Sequence, residues 1–345
     1  MEFTKTPDRI LIVRLSSLGD LVHALPVIPA LRAGMRDLKL DWVVDQRWAP
    51  LLKMVEGIDE VIALNRSLAS SFAYAPELRR HRYDCTLDLQ GNLRSGLLSW
   101  LSGSPRRIGR HRSAARQPAA ACFYTEHVFP AGQHIAEMSL SLAERAGAKK
   151  LGELCFPIRV PHQELTAIKQ KLRKLDIEEY IVMCPGGGWR SKCWPAERYG
   201  ALAGELWTRY RIRTVLNVGP GERSLGEIAM QAAGSAKPVL LCPALPELAA
   251  LLQNALVVIA GDTGPLHLAA ALGTRVVGLF GPTSPLRNGP LPRGTVLQNA
   301  IPEEHNHYRG NYTRGASYSP AMLSLTVDQV AEAVAREMAR HFTRQ

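Results

Sequence analysis

Short runs of apolar, mostly β-branched residues alternate with longer amphipathic stretches along most of this 345-residue chain. In the first half these runs predict strands at 10–15, 41–44, 61–64 and 85–89. In the second half they predict strands at 180–184, 214–218, 239–241, 257–260 and 276–280. Strands of this kind, separated by helical patterns, are typical of βαβ units, whose parallel sheets are covered by helices on both faces. We therefore predict an α/β chain with doubly wound parallel sheets.

The strand pattern stops between residues 159 and 178, where the sequence is polar and helical, and then starts again. We therefore predict a first domain at 1–158, a linker at 159–178, a second domain at 179–320 and a C-terminal helix at 321–345. Thr326 and Gln329 have the spacing of a capping box at the start of that helix, which could pack back on the N-terminal domain. The stretch HNHYRGNYTRGASYSP, at 305–320, predicts a long loop.

Composition narrows the class of protein. The N-terminal residues lack the basic-then-apolar pattern of a signal peptide, and no apolar stretch approaches the roughly 20 residues that span a bilayer. The six cysteines form no CxxC pair, so we expect reduced thiols, several of them buried, in a cytoplasmic protein.

The net charge of +11 predicts an anionic partner, which could be nucleic acid, a membrane face or an acidic substrate. Basic residues cluster at 79–82 and 106–116 in the first half, although a solvated basic surface would give the same pattern. Only 6% of residues are aromatic, which disfavours nucleic acid.

Three loops in the second half follow predicted strands and suit a phosphate. In GDTGPLHLA, Asp262, Thr263 and Gly264 lead into a helix whose free N–H groups favour an anion, although the same residues could simply cap that helix. CPGGGWRSKCWP combines glycines with Lys192 but lacks the P-loop spacing. NVGPGERS is the third loop, and its glycines are too few for a dinucleotide fingerprint.

Two loops in the first half carry polar groups after a strand. SSLGD places Asp20 where it could cap a helix, hold a metal or accept a proton. DLQGNLRSG offers Gln90, Asn92 and Arg94, which suit sugar hydroxyls or an anion, while Asp88 could serve only the backbone. No metal-ligand spacing accompanies these groups, so we expect no essential metal and no cofactor.

The segments ILIVRLSSLGDLVHALPVIPALR and GDTGPLHLAAALGTRVVGLFGPTSP resemble those of the lipopolysaccharide heptosyltransferases. These are inverting glycosyltransferases of family 9 with the GT-B fold, two Rossmann-like domains with parallel sheets facing across a cleft. The likeness covers nearly the whole chain, and DWVV and KCWP resemble the type I enzyme most. Gly187 and Gly188 depart from the type I pattern, which has adjacent threonines there.

The resemblance implies that the second domain binds the donor ADP-heptose and the first binds Kdo-lipid A, with Asp20 as the catalytic base. It places donor contacts at Gly187, Gly188, Lys192, Glu222, Asp262, Thr263, Gly264 and His267. With the polar and basic residues of the first half, the acceptor contacts become Ser17, Gly19, Gln90, Asn92, Arg94, Arg106, Arg107 and Arg110. A monomer bound peripherally to anionic lipid on the cytoplasmic face of the inner membrane is then expected.

Four alternatives remain open at this point. Two lie within the family: a transferase of another nucleotide sugar, and a heptosyltransferase II. The third is a sugar-nucleotide epimerase of similar architecture, which would have no use for a basic acceptor face. The fourth, from a different class, is a basic nucleic-acid-binding protein, against which the low aromatic content argues.

Overall fold

A computed structural model describes residues 7–299 and 317–342, which fall into two compact units divided between Arg159 and Val160. Each unit contains one six-stranded sheet in which every strand pair is parallel. Helices flank both sheets, so the α/β, doubly wound class predicted from the sequence is confirmed.

The strands of the first unit are β1 (Arg9–Val13), β2 (Lys39–Asp45), β3 (Glu60–Leu64), β4 (Cys85–Asp88), β5 (Arg106–Arg110) and β6 (Glu126–Val128). Its helices are α1 (Leu18–Ala24), α2 (Val27–Gly34), α3 (Ala49–Leu52), α4 (Leu68–Ala73), α5 (Ala75–Arg80), α6 (Leu93–Leu101) and α7 (Ile135–Ala146). Short 3-10 helices cover Gln46–Trp48 and Pro118–Phe123.

The strands of the second unit are β7 (Tyr180–Cys184), β8 (Arg213–Asn217), β9 (Val239–Leu241), β10 (Val258–Gly261), β11 (Val276–Phe280) and β12 (Thr295–Gln298). Its helices are α8 (His162–Arg173), α9 (Ala196–Tyr210), α10 (Arg223–Ala232), α11 (Leu245–Gln253), α12 (Gly264–Ala271), α13 (Pro285–Asn288), α14 (Pro320–Ser324) and α15 (Val327–Phe342). Short 3-10 helices cover Arg190–Lys192 and Gly234–Ala236.

Both sheets have the same strand order. The first runs β3-β2-β1-β4-β5-β6 and the second β12-β11-β10-β7-β8-β9, so in each the first and fourth strands are neighbours. The chain leaves these two strands toward opposite sides of the sheet, which opens a crevice beyond their carboxyl ends. Ligands of doubly wound folds bind at this switch point, and we therefore look there for the site of each unit.

The nine predicted strands all form, with ends that differ from the predictions by no more than two residues. Their apolar residues are buried on both faces of the sheets, which explains why continuous apolar runs identified them. The strands β5, β6 and β12 were missed. β5 reads RRIGR, and its arginines hid a strand that pairs with β4 and β6 on its two sides.

The segment predicted as a linker contains α8, which packs on α11 and belongs to the second unit; Lys171 pairs with Glu247 at 2.7 Å between these helices. The capping box before α15 is confirmed, since the Gln329 backbone N–H donates to Thr326 Oγ1 and the Thr326 N–H to Gln329 Oε1. Contrary to the sequence prediction, α15 packs on α9, β11 and β12 of the second unit, where its apolar face joins the core. Most of the loop predicted at 305–320 lies outside the described residues.

Two further expectations can be compared with the described residues. None of the helices there is both long and apolar enough to cross a membrane. All six cysteines are free thiols, and Cys85, Cys184 and Cys193 are buried.

Gly109 on β5 provides a test of the packing in the first unit. A Cβ atom there would lie 2.3 Å from the ring of Tyr124, and that ring is held by a 2.6 Å hydrogen bond from its hydroxyl to Asp88. We expect Gly109→Ala to lower the free energy of unfolding by about 1–3 kcal/mol because the buried ring must move. Urea unfolding measures this effect. Gly152→Ala is the control, since no atom lies within 4 Å of its Cβ position. Equal stability of the two variants would contradict this packing argument.

Candidate active site

At the switch point of the first unit, the loop after β1 leads into α1 and carries Asp20. Both carboxylate oxygens of Asp20 are engaged: Arg14 Nη2 lies 2.7 Å from Oδ1, and the Ser17 backbone N–H and hydroxyl donate to Oδ2 at 3.1 and 3.0 Å. The Arg14 side chain is only 4% exposed, whereas that of Asp20 is 32% exposed. Gly19 is buried and Ser17 exposed on the same turn. The carboxylate is therefore held in a fixed orientation while solvent still reaches it.

The neighbouring strand β4 supports this loop from below. Gln90 Oε1 accepts hydrogen bonds from the backbone N–H groups of Leu15 (3.0 Å) and Ser16 (3.2 Å). Asp88 Oδ1 in turn accepts from the N–H groups of Gln90 and Gly91. Gln90, predicted to contact the acceptor, thus uses its carbonyl oxygen to position the loop that carries Asp20.

Asp88 is completely buried and has no cation among its hydrogen-bond partners. Burial raises the pKa of this carboxyl, and the hydrogen bonds from Tyr124 and from the Gly91 and Gln90 backbone only partly oppose the shift. Its role is to hold backbone and the Tyr124 hydroxyl, which agrees with the reading of Asp88 as a residue that serves the backbone.

Asn92 and Arg94 begin α6 at the same edge of the sheet. The Asn92 side chain accepts from the Ser95 N–H as the cap of α6, a structural use of the residue. Arg94 Nη1 donates to Asp45 Oδ1 at 2.7 Å, and its Nη2 donates to the backbone oxygen of Asn65. Both side chains remain at the carboxyl edge, where the acceptor was predicted to bind.

The structure does not bring Arg106, Arg107 and Arg110 together. They lie along β5, and since Arg106 is in register with Cys85, the first residue of β4, the first two arginines lie at the amino edge of the sheet. Arg106 pairs with Glu126 at 2.8 Å, and Arg107 donates to the backbone oxygens of Phe123 and Ser104. Neighbours in a strand's sequence are spread along its length at roughly 3.3 Å per residue, which the clustering argument ignored. Of the three, only Arg110 reaches the carboxyl edge, beside Gly91.

Two arginines at this edge were not predicted. Arg47 and Arg66 follow the carboxyl ends of β2 and β3, and both are exposed. Partial burial and the nearby Arg66 lower the pKa of Arg47, which shows that the two cations are close neighbours. The strand-end rule applied to Asp20 and Gln90 would have found them.

Three described residues that could ligate a metal, Asp41, Glu60 and His81, lie within 4.8 Å of one another in the first unit. Arg9 Nη2 already donates to Asp41 Oδ2 at 2.7 Å and lies 2.6 Å from His81 Nδ1. A guanidinium thus occupies the cationic position of this cluster, which is away from the switch point. The expectation that no metal is required remains a prediction.

At the switch point of the second unit, β7 and β10 bring together Lys192, Asp262 and His267. Lys192 Nζ lies 2.9 Å from Asp262 Oδ2, and His267 Nε2 lies 3.0 Å from Asp262 Oδ1. The side chains are 14%, 6% and 3% exposed, respectively. These three predicted donor residues therefore form one buried charged cluster.

The charge of this cluster is fixed by its geometry. Burial alone would raise the pKa of Asp262, but the Lys192 ammonium and the hydrogen bond and charge of His267 hold that pKa well below its usual range. Asp262 is therefore a carboxylate at neutral pH, and it orients the ammonium at the end of the glycine loop.

The remaining donor residues surround this cluster. Thr263 is the residue before α12 and donates its hydroxyl to the backbone oxygen of Gly261, while Gly264 is the first residue of the helix. A Cβ on Gly187 would lie 2.9 Å from Cys193 Sγ and 3.4 Å from Thr263 Cγ2, whereas the Cβ position of Gly188 meets no atom within 4 Å. The glycine loop thus packs closely against the α12 loop at one glycine only.

Glu222 is fixed by two glycines. Its Oε2 accepts from the Gly219 N–H at 2.8 Å, and a Cβ on Gly186 would fall 2.0 Å from the same oxygen. Gly186 was not singled out from the sequence, because nothing local shows that a glutamate 36 positions later occupies its side-chain space. The structure places Glu222 against the glycine loop, as the donor prediction requires.

A model of the family described as glycosyltransferase family 9 (heptosyltransferase) matches residues 71–314. The chain belongs to glycosyltransferase family 9. It is thus a glycosyltransferase, and the family expected from the sequence is confirmed.

The chain is similar to lipopolysaccharide heptosyltransferase 1 of Pseudomonas aeruginosa, with 29% identity over 84% of this chain and 82% of that protein. Among solved structures it is similar to Escherichia coli heptosyltransferase WaaC with ADP, at 26% identity and a TM-score of 0.76 over 95% of this chain and 99% of that one. It also matches the E. coli ADP-heptose LPS heptosyltransferase II, with a TM-score of 0.81 and 21% identity over 96% and 99% of the two chains.

Replacement of the lysine should uncover the buried carboxylate. We expect Lys192→Met to destabilise the second unit at neutral pH by up to about 3–5 kcal/mol, because Asp262 loses its cation. The depressed pKa of wild-type Asp262 stabilises the fold above the unfolded value, near 4, and that contribution is lost only as pH falls below it. In the variant this carboxyl takes up a proton at a higher pH.

The stability difference between wild type and Lys192→Met should therefore narrow as the pH is lowered. Urea unfolding at a series of pH values measures it, and Lys174→Met, at an exposed lysine after α8, is the control. A difference that is constant over the acidic range would contradict the electrostatic role given to the pair.

Proposed function

We propose that this chain is an inverting heptosyltransferase that moves heptose from ADP-L-glycero-D-manno-heptose to Kdo-lipid A in lipopolysaccharide core synthesis. The observation that carries the donor half is the Lys192–Asp262–His267 cluster at the switch point of the second unit. A lysine held there offers positive charge to a diphosphate, and no metal is needed to supply it. The names of the relatives support a heptose donor and a type I acceptor.

In this reaction Asp20 takes the proton from the attacking acceptor hydroxyl. The hydroxyl oxygen forms a bond to the anomeric carbon of heptose from the face opposite the phosphate, while the bond from that carbon to the phosphate oxygen breaks. The electron pair leaves with ADP, whose growing negative charge is stabilised by Lys192 and the N-terminus of α12. Arg14 and Ser17 keep the base in position throughout.

The acceptor is anionic, so we place its phosphates and acidic sugars near the basic residues of the first unit's carboxyl edge. Arg110 ends β5 there, and Arg112 and Arg116 are exposed on the loop that follows. That loop is fixed to the active-site edge by a hydrogen bond from the Gln117 N–H to the Gly91 oxygen. Arg106 and Arg107 are excluded from this proposal by their position at the opposite edge. We further propose a monomer in the cytoplasm that works at the inner membrane.

The direct test is incubation of the protein with ADP-heptose and a truncated acceptor that carries the acidic sugars, followed by mass analysis. We expect the mass of one heptose to be added. A thermal-shift panel of nucleotide sugars separates this donor from others used within the family, and an acceptor already bearing one heptose tests the type II alternative. Stabilisation by another nucleotide sugar without transfer of heptose would overturn the proposed donor.

Asp20→Asn tests the base. We expect kcat to fall by about 10²–10⁴-fold, because an amide cannot accept the proton. ADP affinity, measured by calorimetry, should be unchanged, since Asp20 belongs to the first unit and the donor cluster to the second. Asp37→Asn, at an exposed aspartate of the same unit, is the matched control. Near-normal turnover in Asp20→Asn would remove the residue from the catalytic role.

Gly186→Ala tests whether Glu222 positions the nucleoside. The new methyl group meets only the end of the Glu222 side chain, so the fold should survive while the carboxylate swings away. We expect ADP affinity to fall by roughly tenfold, about the effect of one lost hydrogen bond to a charged group.

A double-mutant cycle with Glu222→Ala separates this mechanism from a general disturbance of the loop. If Gly186 acts through Glu222, then Gly186→Ala should add almost nothing to the loss seen in Glu222→Ala. Additive losses would show that the glycine matters for another reason.

A further inference from the structure

Large apolar side chains are exposed on two neighbouring helices of the first unit. On α4, Leu68 is 57% and Phe72 54% exposed, and on α6, Leu93 is 47% and Trp100 48% exposed. Leu97, between the last two, is half-buried. These five residues are called the α4–α6 surface below.

The spacing of these residues places them on the outer face of each helix. Leu68 and Phe72 are four positions apart, and Leu93, Leu97 and Trp100 follow at intervals of four and three, so each set forms one stripe. The opposite face of α6 buries Leu98 and Leu101 against the sheet. Nothing in the packing of the unit requires the outer stripes to be apolar.

The two stripes lie side by side. Arg94, next to Leu93, reaches across to α4, where its Nε lies 3.5 Å from Ser71 Oγ and its Nη2 donates to the Asn65 oxygen. The N-terminal turns of both helices are at the carboxyl edge of the sheet, because α4 follows β3 and α6 follows β4. The apolar surface therefore begins at the edge where Asp20 lies.

The cations at this edge exceed the acids that pair with them. Arg47, Arg66 and Arg94 gather around one carboxylate, Asp45, which lies 3.6 Å from Arg66 and 2.7 Å from Arg94. Arg47 stacks on the Trp48 ring at 4.4 Å, and its pKa is lowered by burial and by Arg66. Neighbouring cations of this kind are stabilised by an external anion.

We propose that the α4–α6 surface docks on an anionic lipid bilayer, with Leu68 and Phe72 inserted at the level of the head groups and Arg47 and Arg66 on lipid phosphates. Apolar side chains beside arginines are the combination that holds a protein on an anionic bilayer without spanning it, because each basic residue adds attraction while the apolar ones leave water. A patch of exposed large apolar side chains of this kind marks an interaction site rather than ordinary surface.

Charge selects a bilayer over a second copy of the chain. A twofold dimer through this surface would bring the same patch on both copies together, so the arginines of one would face those of the other. Docking itself is independent of the reaction. The proposed function enters only where the acceptor is taken to be a lipid, which the docked surface would place beside the edge carrying Asp20.

Vesicle flotation tests the docking. Wild type is mixed with vesicles of phosphatidylcholine alone or of phosphatidylcholine and phosphatidylglycerol in equal parts. We expect binding to the anionic vesicles only, weakened at least about tenfold in Leu68→Gln/Phe72→Gln because two apolar side chains no longer leave water. Leu175→Gln/Met230→Gln is the matched control, since these side chains are 42% and 40% exposed in the second unit. Arg66→Gln should weaken binding to anionic vesicles, with Lys174→Gln as its control.

A second measurement separates this proposal from the proposed function. Leu68→Gln/Phe72→Gln should keep wild-type turnover on a water-soluble acceptor oligosaccharide and lose it on the same acceptor anchored in vesicles. No transfer to either acceptor by wild type, with vesicle binding intact, would refute the function and leave docking supported. Equal flotation of wild type and Leu68→Gln/Phe72→Gln would overturn the docking surface, as would a dimer in sedimentation that the same substitutions dissociate.

Discussion

The polar clusters of both units depend on one constraint: the carboxyl ends of parallel strands lie together at one edge of a sheet. With the strand order seen here, the first and fourth strands of each sheet are neighbours whose following helices pack on opposite faces. Residues far apart in the chain then meet, as Leu15 does with Gln90 and Lys192 with Asp262. Because each hydrogen bond joins loops from adjacent strands, the site is rigid where the backbone itself is irregular.

Burial of charge distinguishes the structural groups from the chemical ones. Asp88 and Asp262 are both buried, yet burial raises the pKa of the first whereas the second is held far below its ordinary value despite burial. The difference is the partner, since Asp88 receives only neutral donors and Asp262 has a lysine at 2.9 Å. A buried carboxylate kept charged in this way costs solvation energy that packing alone would not demand. Its presence at a switch point is therefore a sign of ligand chemistry.

The sequence predicted those parts of the fold whose physics is local. Continuous apolar runs located nine strands, and the Thr326–Gln329 spacing located the start of α15, because burial and capping depend on near neighbours in the chain. β5 escaped because its arginines are satisfied by distant partners, Arg106 by Glu126 for example. Likewise, the loops of the candidate site could be named, but the support of Ser16 by Gln90 could not, since it depends on which strands become neighbours.

The glycine loop shows how much such neighbours change the meaning of a motif. In the sequence, three consecutive glycines indicate a flexible, phosphate-tolerant turn. In the structure each has a different surrounding: Gly186 is filled by the Glu222 carboxylate, Gly187 approaches Cys193 and Thr263, and Gly188 faces open space. Two of the three are thus required by close contacts rather than by flexibility. The remaining position can accept a side chain without a clash, which explains how relatives with threonines in this loop and a chain with glycines can share one fold.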